Sequence, residues 1–138
     1  MKKFLAVILS LFVFAGMSYA GSVNSYDKYG SKTGSYRTSG NTTNSYNRYG
    51  QKTGSYKTSG NTTTKYDRYG AKTGSYKTNG NTTNEYNRYG QKVGSYKTNG
   101  STTTSYDKYG RKTGTYKKDS SGRVTQYDKY GRKMQTFK

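Results

Sequence analysis

Tyrosine returns along this chain at a fixed interval. Tyr26, Tyr46, Tyr66, Tyr86 and Tyr106 are spaced by 20 residues, and Tyr127 follows after 21. Tyr29, Tyr49, Tyr69, Tyr89, Tyr109 and Tyr130 form a second column. Tyr36, Tyr56, Tyr76, Tyr96, Tyr116 and finally Phe137 form a third. A period of this length marks a repeat architecture, in which one supersecondary unit is copied and each copy supplies the neighbours of the next. Residues 21–138 therefore read as six tandem copies, the last one truncated. The extra residue falls in the stretch Lys117 to Gly122, so that stretch is a loop.

Two turn signals punctuate each copy. The first is Asn/Asp-Arg/Lys-Tyr-Gly, as in Asn47-Arg48-Tyr49-Gly50. Asn or Asp first and Gly fourth suit a type I turn followed by a left-handed glycine, a three-residue hairpin loop. The second is Ser-Gly or Asn-Gly, as in Asn99-Gly100. With Arg48-Tyr49-Gly50 as the first loop, Tyr46 lies opposite Lys52. A second three-residue loop, Thr58-Ser59-Gly60, makes two seven-residue strands plus two loops fill the period. Every residue then stacks in register with its counterpart two strands away. Alternation along a strand then puts Tyr46, Lys52 and Tyr56 on one face with Thr42, Asn44 and Gly54. Thr43, Ser45, Gln51, Thr53, Ser55 and Lys57 take the other face. Gly34, Gly54, Gly74, Gly94 and Gly114 leave gaps for neighbouring rings.

The expected fold is all-β: tandem hairpins of about 20 residues in a continuous antiparallel meander. The sheet is a single layer or curled, solenoid-like, with eleven or twelve short strands. Helices are disfavoured because Gly, Thr, Asn and Tyr are weak helix formers and no apolar stripe of helical period exists.

Composition makes this sheet unusual. Beyond residue 20 the only aliphatic or thioether side chains larger than the Ala71 methyl are Val23, Val93, Val124 and Met134. There is no cysteine to form a disulfide and no proline. Setting aside Lys2 and Lys3, 23 of the 25 basic residues remain against 6 acids, a net of +17. Low hydrophobicity with high charge is a signature of disorder. Tyr and Thr are strand formers, which argues for ordered strands. Tyrosine has to take the place of a core, so the sheet must curl until the rings meet, stack on another copy, or order on a ligand.

The first twenty residues differ in kind. Lys2 and Lys3 precede an apolar run from Phe4 to Phe14, broken only by Ser10, and Ser18-Tyr19-Ala20 ends in small residues. This is the pattern of a secretory signal peptide over residues 1–20. The run is short for a bilayer span, which takes about 20 apolar residues. Export to the periplasm, the cell surface or the exterior is expected, with no transmembrane segment after cleavage.

Catalytic chemistry has little to draw on. The chain has no histidine or cysteine, so the common zinc ligand sets are excluded. Its acids are Asp27, Asp67, Glu85, Asp107, Asp119 and Asp128. Four of them occupy one turn position, where Asp bonds to backbone amides. No carboxylate pair for glycoside hydrolysis stands out. The expectation is a protein without enzymatic activity, cofactor or metal.

At Tyr106 to Tyr116 and again at Gly122 to Lys133 the chain resembles the YD repeats of Rhs-type proteins. Tyr106, Asp107, Gly110 and Arg111 match the Tyr-Asp-x-x-Gly-Arg pattern, as do Tyr127, Asp128, Gly131 and Arg132. The other four copies keep Tyr and Gly but carry Ser, Gln or Ala in place of Arg. The resemblance implies hairpin units in a continuous curved sheet, exported placement and a carbohydrate-binding role. Lys52, Lys72 and Lys112 stand where that family has an apolar residue. Six copies are too few for the closed shell that large Rhs-type proteins build around a toxin.

Tyrosine rings stack on sugar faces, and Lys or Arg pairs with carboxylate, sulfate or phosphate. The candidate ligand-binding residues are Tyr46, Lys52, Tyr56, Tyr66, Lys72, Tyr76, Tyr86, Lys92, Tyr96, Tyr106, Lys112 and Tyr116, with Lys/Arg columns at 48, 52 and 57. The partner class is an anionic polysaccharide or another polyanion, engaged by avidity along the repeat. Nucleic acid fits the charge but suits an exported chain less well. The alternative is a self-assembling subunit of a fibre, matrix or surface layer, grown through exposed strand edges.

Overall fold

The structure, a computed structural model, describes residues 21–138; the expected signal peptide lies outside the described residues. Twelve antiparallel strands follow one another. They are β1 (Gly21–Asp27), β2 (Lys32–Ser39), β3 (Thr42–Asn47), β4 (Lys52–Ser59), β5 (Thr62–Asp67) and β6 (Lys72–Asn79). Then come β7 (Thr82–Asn87), β8 (Lys92–Asn99), β9 (Thr102–Asp107), β10 (Lys112–Lys118), β11 (Val124–Asp128) and β12 (Lys133–Phe137). Each strand pairs with the next in sequence, and β12 returns to pair with β1 through Ser25–Phe137, Tyr26–Thr136 and Asp27–Gln135. The meander expected from the repeat is thus a closed barrel, not an open sheet.

The first turn has the expected form. Gly50 N–H donates to the Asn47 carbonyl at 3.0 Å, Asn47 N–H donates to the Gln51 carbonyl, and Gly50 takes φ 81°. Tyr46 pairs with Lys52. The second turn corrects the sequence reading. Ser59 pairs with Thr62, so the loop is the two residues Gly60-Asn61, with φ 57° at Gly60 and no positive φ at Asn61. Positive φ at the first central residue alone is the type II′ arrangement, in which glycine belongs at that position.

A three-residue and a two-residue loop leave one residue over, and a bulge absorbs it. Tyr46 pairs with Lys52 but Ser45 pairs with Gly54, so Thr53 is the extra residue. The pairings Asn44–Gly54 and Thr42–Tyr56 are accordingly replaced by Ser45–Gly54 and Thr43–Tyr56. Bulges bend a strand and reverse which face its residues take beyond them. Here the bulge separates two tyrosine columns that the even alternation had placed together. Tyr56 and Gly54 face the interior with Thr43 and Ser45. Tyr46 faces outward with Thr42 and Asn44.

Counterparts do not stack in register either. Thr43 lies across from Tyr56, and Tyr56 from Lys65, two residues beyond Thr63, the counterpart of Thr43. Two residues per hairpin over six hairpins gives a stagger of twelve for twelve strands. Closing a sheet requires such a stagger and tilts the strands by about 35–45°. Each repeated interior glycine sits where that curvature brings backbones close. A Cβ on Gly54 would lie 2.6 Å from the Tyr66 carbonyl oxygen. The position thus excludes any side chain, where the sequence reading had a gap for a ring.

The core is the third tyrosine column. Tyr76, Tyr96, Tyr116, Val124 and Phe137 are buried, with Val23, Tyr36 and Tyr56 packed against them. Tyr96 meets Tyr116, and Tyr36 meets Phe137, as tilted ring pairs with centroids 6.5 Å apart. Near the two-residue turns, threonine pairs line the wall: Thr38–Thr43, Thr58–Thr63, Thr78–Thr83 and Thr98–Thr103 hydroxyls lie 2.8–2.9 Å apart.

One interior column breaks the repetition, and at one of its two departures the bulge residue changes as well. Ser25, Ser45 and Ser105 share hydroxyl hydrogen bonds with Thr33, Thr53 and Thr113. Lys65 and Glu85 occupy the same column in the two middle copies, and Val93 replaces the threonine beside Glu85. The Lys65 Nζ stands 3.8 Å from Glu85 Oε1 and 5.5 Å from the Tyr76 ring centre. Tyr76 and Tyr96 hydroxyls donate to the two Glu85 oxygens at 3.4 and 3.2 Å. One carboxylate thus joins an ammonium and two core phenols. Burial, reinforced by Glu85, pushes the Tyr76, Tyr96 and Tyr116 hydroxyls far above their ordinary ionisation range.

Two outcomes follow from this core. Glu85→Ser leaves Lys65 facing the interior without its carboxylate and should cost about 3 kcal/mol in denaturant unfolding. The double variant Lys65→Ser, Glu85→Ser restores the repeat residue at both sites and should recover more than half of that loss; a double variant no more stable than the single one would contradict the pairing. The buried tyrosines are neutral in the barrel and ionise in the unfolded chain near pH 10. Their raised folded values make this stability full below about pH 10 and progressively lost above it. Unfolding midpoints measured from pH 8 upward should fall steeply past that point, and a flat profile would place the rings in water.

Candidate functional site

The three-residue loops joining β1 to β2, β3 to β4, β5 to β6, β7 to β8, β9 to β10 and β11 to β12 all emerge at one end of the barrel. Closure arranges them in a ring. Each carries a tyrosine at its tip: Tyr29, Tyr49, Tyr69, Tyr89, Tyr109 and Tyr130 are 71–82% exposed. Successive tips are two strands apart, on the order of 10 Å.

A cation sits over every tip ring. Lys28, Lys108 and Lys129 Nζ lie 4.9–5.0 Å from the ring centres of Tyr29, Tyr109 and Tyr130. The Arg48, Arg68 and Arg88 guanidinium groups lie 4.7–4.8 Å from the rings of Tyr49, Tyr69 and Tyr89. Arg48 and Arg88 Nη2 also donate to the neighbouring phenol oxygens, at 2.7 and 2.5 Å, and Arg68 donates to Tyr69 in the same way. Lys32, Lys52, Lys72, Lys92, Lys112 and Lys133 begin the returning strands at this end, and Arg111 and Arg132 join them. Fourteen exposed cations therefore gather here against four aspartates, Asp27, Asp67, Asp107 and Asp128.

The acids are occupied in building the turns. Asp107 Oδ1 accepts from Tyr109 and Arg111 N–H at 2.9 Å, and Asp128 Oδ1 does the same for Tyr130 and Arg132. The second oxygen of each accepts from Arg111 or Arg132 Nε at 2.7 Å. The Arg111 amide, then its guanidinium and the Tyr109 amide, hold the Asp107 carboxyl below the usual carboxylate range. Asp128 is lowered in the same way by Arg132 and Tyr130. Where the turn has Asn, as at Asn47 and Asn87, glutamine replaces arginine: Gln51 and Gln91 Oε1 accept from the Asn Nδ2 at 2.8 Å. The Tyr-Asp-x-x-Gly-Arg pattern is therefore a turn with its own side-chain clasp.

The opposite end is chemically different. Its two-residue turns, within 38–42, 58–62, 78–82 and 98–102, contain only Thr, Ser, Asn and Gly. The fifth connection, after β10, has Asp119 paired with Arg123 Nε at 3.9 Å. The turns themselves are thus charged at one end and nearly neutral at the other, where Arg37, Lys57, Lys77, Lys97 and Lys117 stand on the strands just before them.

Between the ends a belt runs round the waist. Tyr26, Tyr46, Tyr66, Tyr86, Tyr106 and Tyr127 lie half-buried on the outer wall. Lys138 Nζ, the Arg37 guanidinium, and Lys77 and Lys117 Nζ stand 4.8–5.7 Å from the ring centres of Tyr26, Tyr46, Tyr86 and Tyr127. Ser35 and Ser75 are buried beneath this layer, paired across from Tyr46 and Tyr86.

The residues expected at the site thus part three ways. Lys52, Lys72, Lys92 and Lys112 reach the charged ring. Tyr46, Tyr66, Tyr86 and Tyr106 lie on the outer belt. Tyr76, Tyr96 and Tyr116 are only 2–3% exposed and Tyr56 packs against them, so these four serve the core, out of reach of a ligand on the surface. The single face that held all twelve does not exist, because the Thr53-type bulge divides it. The tip tyrosines were missed as site residues. Their signal was their place at the third position of each turn, where a large ring has no fold requirement. No protein-family model matches the chain, and no curated protein matches it.

Proposed function

We propose that this barrel is an exported, non-enzymatic protein that binds anionic surface polymers, such as acidic polysaccharide, through its charged end and its outer belt. The observation that carries the reading is the segregation of fourteen cations and six exposed tyrosines at one end. Turn geometry requires Asp or Asn and Gly at fixed positions; it does not require a cation and a ring between them. An array of like charges raises the local concentration of a polyanion and speeds its capture. Each ring with its cation offers a flat face beside a positive charge, which suits a sugar ring bearing carboxylate or sulfate. Six repeated contacts add by avidity without any single strong site. The resemblance to YD repeats adds weight to the carbohydrate and the exported placement.

Self-assembly into a fibre through strand edges is the weaker reading. β1 and β12 are paired with each other, so among the described residues the sheet presents no edge to template growth.

A sulfated or uronic-acid polysaccharide should bind at low salt and release as salt rises, since exposed charge pairs are screened within about 10 Å at 0.1 M. A neutral polysaccharide should not compete. Replacing Arg48, Arg68 and Arg88 by Gln should weaken binding at least tenfold in isothermal titration while leaving the fold intact. Salt-independent binding, or an unchanged triple variant, would refute the proposal.

A further inference from the structure

We infer that the charged end is a foot, on which the barrel stands upright against the anionic headgroup layer of a membrane. This rests on the polyanion reading and narrows it. Closure sets the six tips in a ring at one end of the barrel. A ring of tips touches a plane at every point. The side chains match such a plane. Lys and Arg near a surface of anionic lipids each contribute attraction that falls off within a Debye length. Tyrosine favours the boundary between headgroups and acyl chains, because its ring is apolar and its hydroxyl is wet. Tyr29, Tyr49, Tyr69, Tyr89, Tyr109 and Tyr130 are the most exposed large hydrophobic side chains among the described residues.

The rest of the surface fixes the posture. Arg37, Lys57, Lys77, Lys97 and Lys117 project from the outer wall away from the foot, where a barrel that crosses a membrane carries an apolar band about 25 Å tall. The barrel therefore rests on the layer without entering it. A second copy is a poor occupant of the foot, since two such ends carry the same sign. The opposite end then points away from the layer. Both Gly21, paired with Thr38, and Lys138, bonded to Asn24, lie toward that end.

The test uses the whole chain and sedimentation with vesicles of phosphatidylcholine, with or without phosphatidylglycerol. The readout is the gain that phosphatidylglycerol confers, which sets aside binding by the apolar leader. Dextran sulfate serves as the soluble polyanion in parallel. Arg48→Gln, Arg68→Gln and Arg88→Gln together should weaken the gain about a hundredfold. Tyr49→Ser, Tyr69→Ser, Tyr89→Ser and Tyr109→Ser together should weaken vesicle binding more than tenfold and dextran sulfate binding less than threefold. Lys57→Gln, Lys77→Gln and Lys97→Gln on the wall away from the foot should change vesicle binding less than either set. Circular dichroism confirms that each variant keeps the barrel. Binding to dextran sulfate with no gain from phosphatidylglycerol would overturn the foot and leave the polyanion reading standing. A tyrosine set that affects both ligands equally, or a wall set that matters more than the foot, would also overturn it. Failure to bind either ligand would overturn both.

Discussion

A chain with only four aliphatic or thioether side chains larger than alanine beyond residue 20 has to bury phenols, and a buried phenol needs other rings around it and a partner for its hydroxyl. That constraint drives the sheet to close. In a flat sheet the third tyrosine column would have water on its open side. Closure turns the column inward, so that Tyr76, Tyr96 and Tyr116 become enclosed and Phe137 seals the seam beside Tyr36. Pairing β12 to β1 also removes both edges. The same step therefore supplies the core and protects the strands from pairing with other chains.

The charged, ring-tipped surface is a by-product of how closure is achieved. The repeat combines a three-residue loop, a two-residue loop and one bulge, and these advance the register by two residues per hairpin. The bulge sends the first tyrosine column outward and the third inward. The odd-to-even loops then gather at one end, carrying Lys or Arg and Tyr at positions free of conformational demand. Because every copy contributes the same tip, a modest local feature becomes a ring. The buried Lys65–Glu85 pair shows the reverse case, where two copies depart from the repeat at interior positions. It distinguishes β5 and β7, both facing β6, from all other strands.

Much of this was legible in the sequence. The period of 20, the Asp/Asn-to-Gly turn, the Tyr46–Lys52 pairing and a loop at the insertion can be read directly, because turn chemistry is local, although Lys117 and Lys118 remain in β10 and the loop spans 119–123. Three features could not be read. The Gly60-Asn61 turn and the Thr53 bulge compensate each other over one period, and a three-plus-three loop scheme satisfies the same count. Closure depends on twist and stagger accumulated over six hairpins, which no single copy reveals. The division of the tyrosines between core, belt and tips follows from the bulge, so it was lost with it. Gly54 hinted at the answer: a glycine repeated at the same strand position marks a close backbone approach, here to the Tyr66 carbonyl.

The seam between the first and last strands carries the whole account. Asn24 N–H donates to the Lys138 carbonyl at 2.7 Å, and Lys138 N–H donates to the Asn24 carbonyl at 2.9 Å. Amide hydrogen exchange followed by NMR, with nuclear Overhauser contacts across Ser25–Phe137 and Asp27–Gln135, reads this seam directly. Closure predicts contacts across it and protection of the Asn24 amide comparable to that in the interior strands. Rapid exchange at Asn24 with no contact from β1 to β12 would show an open sheet and contradict the barrel.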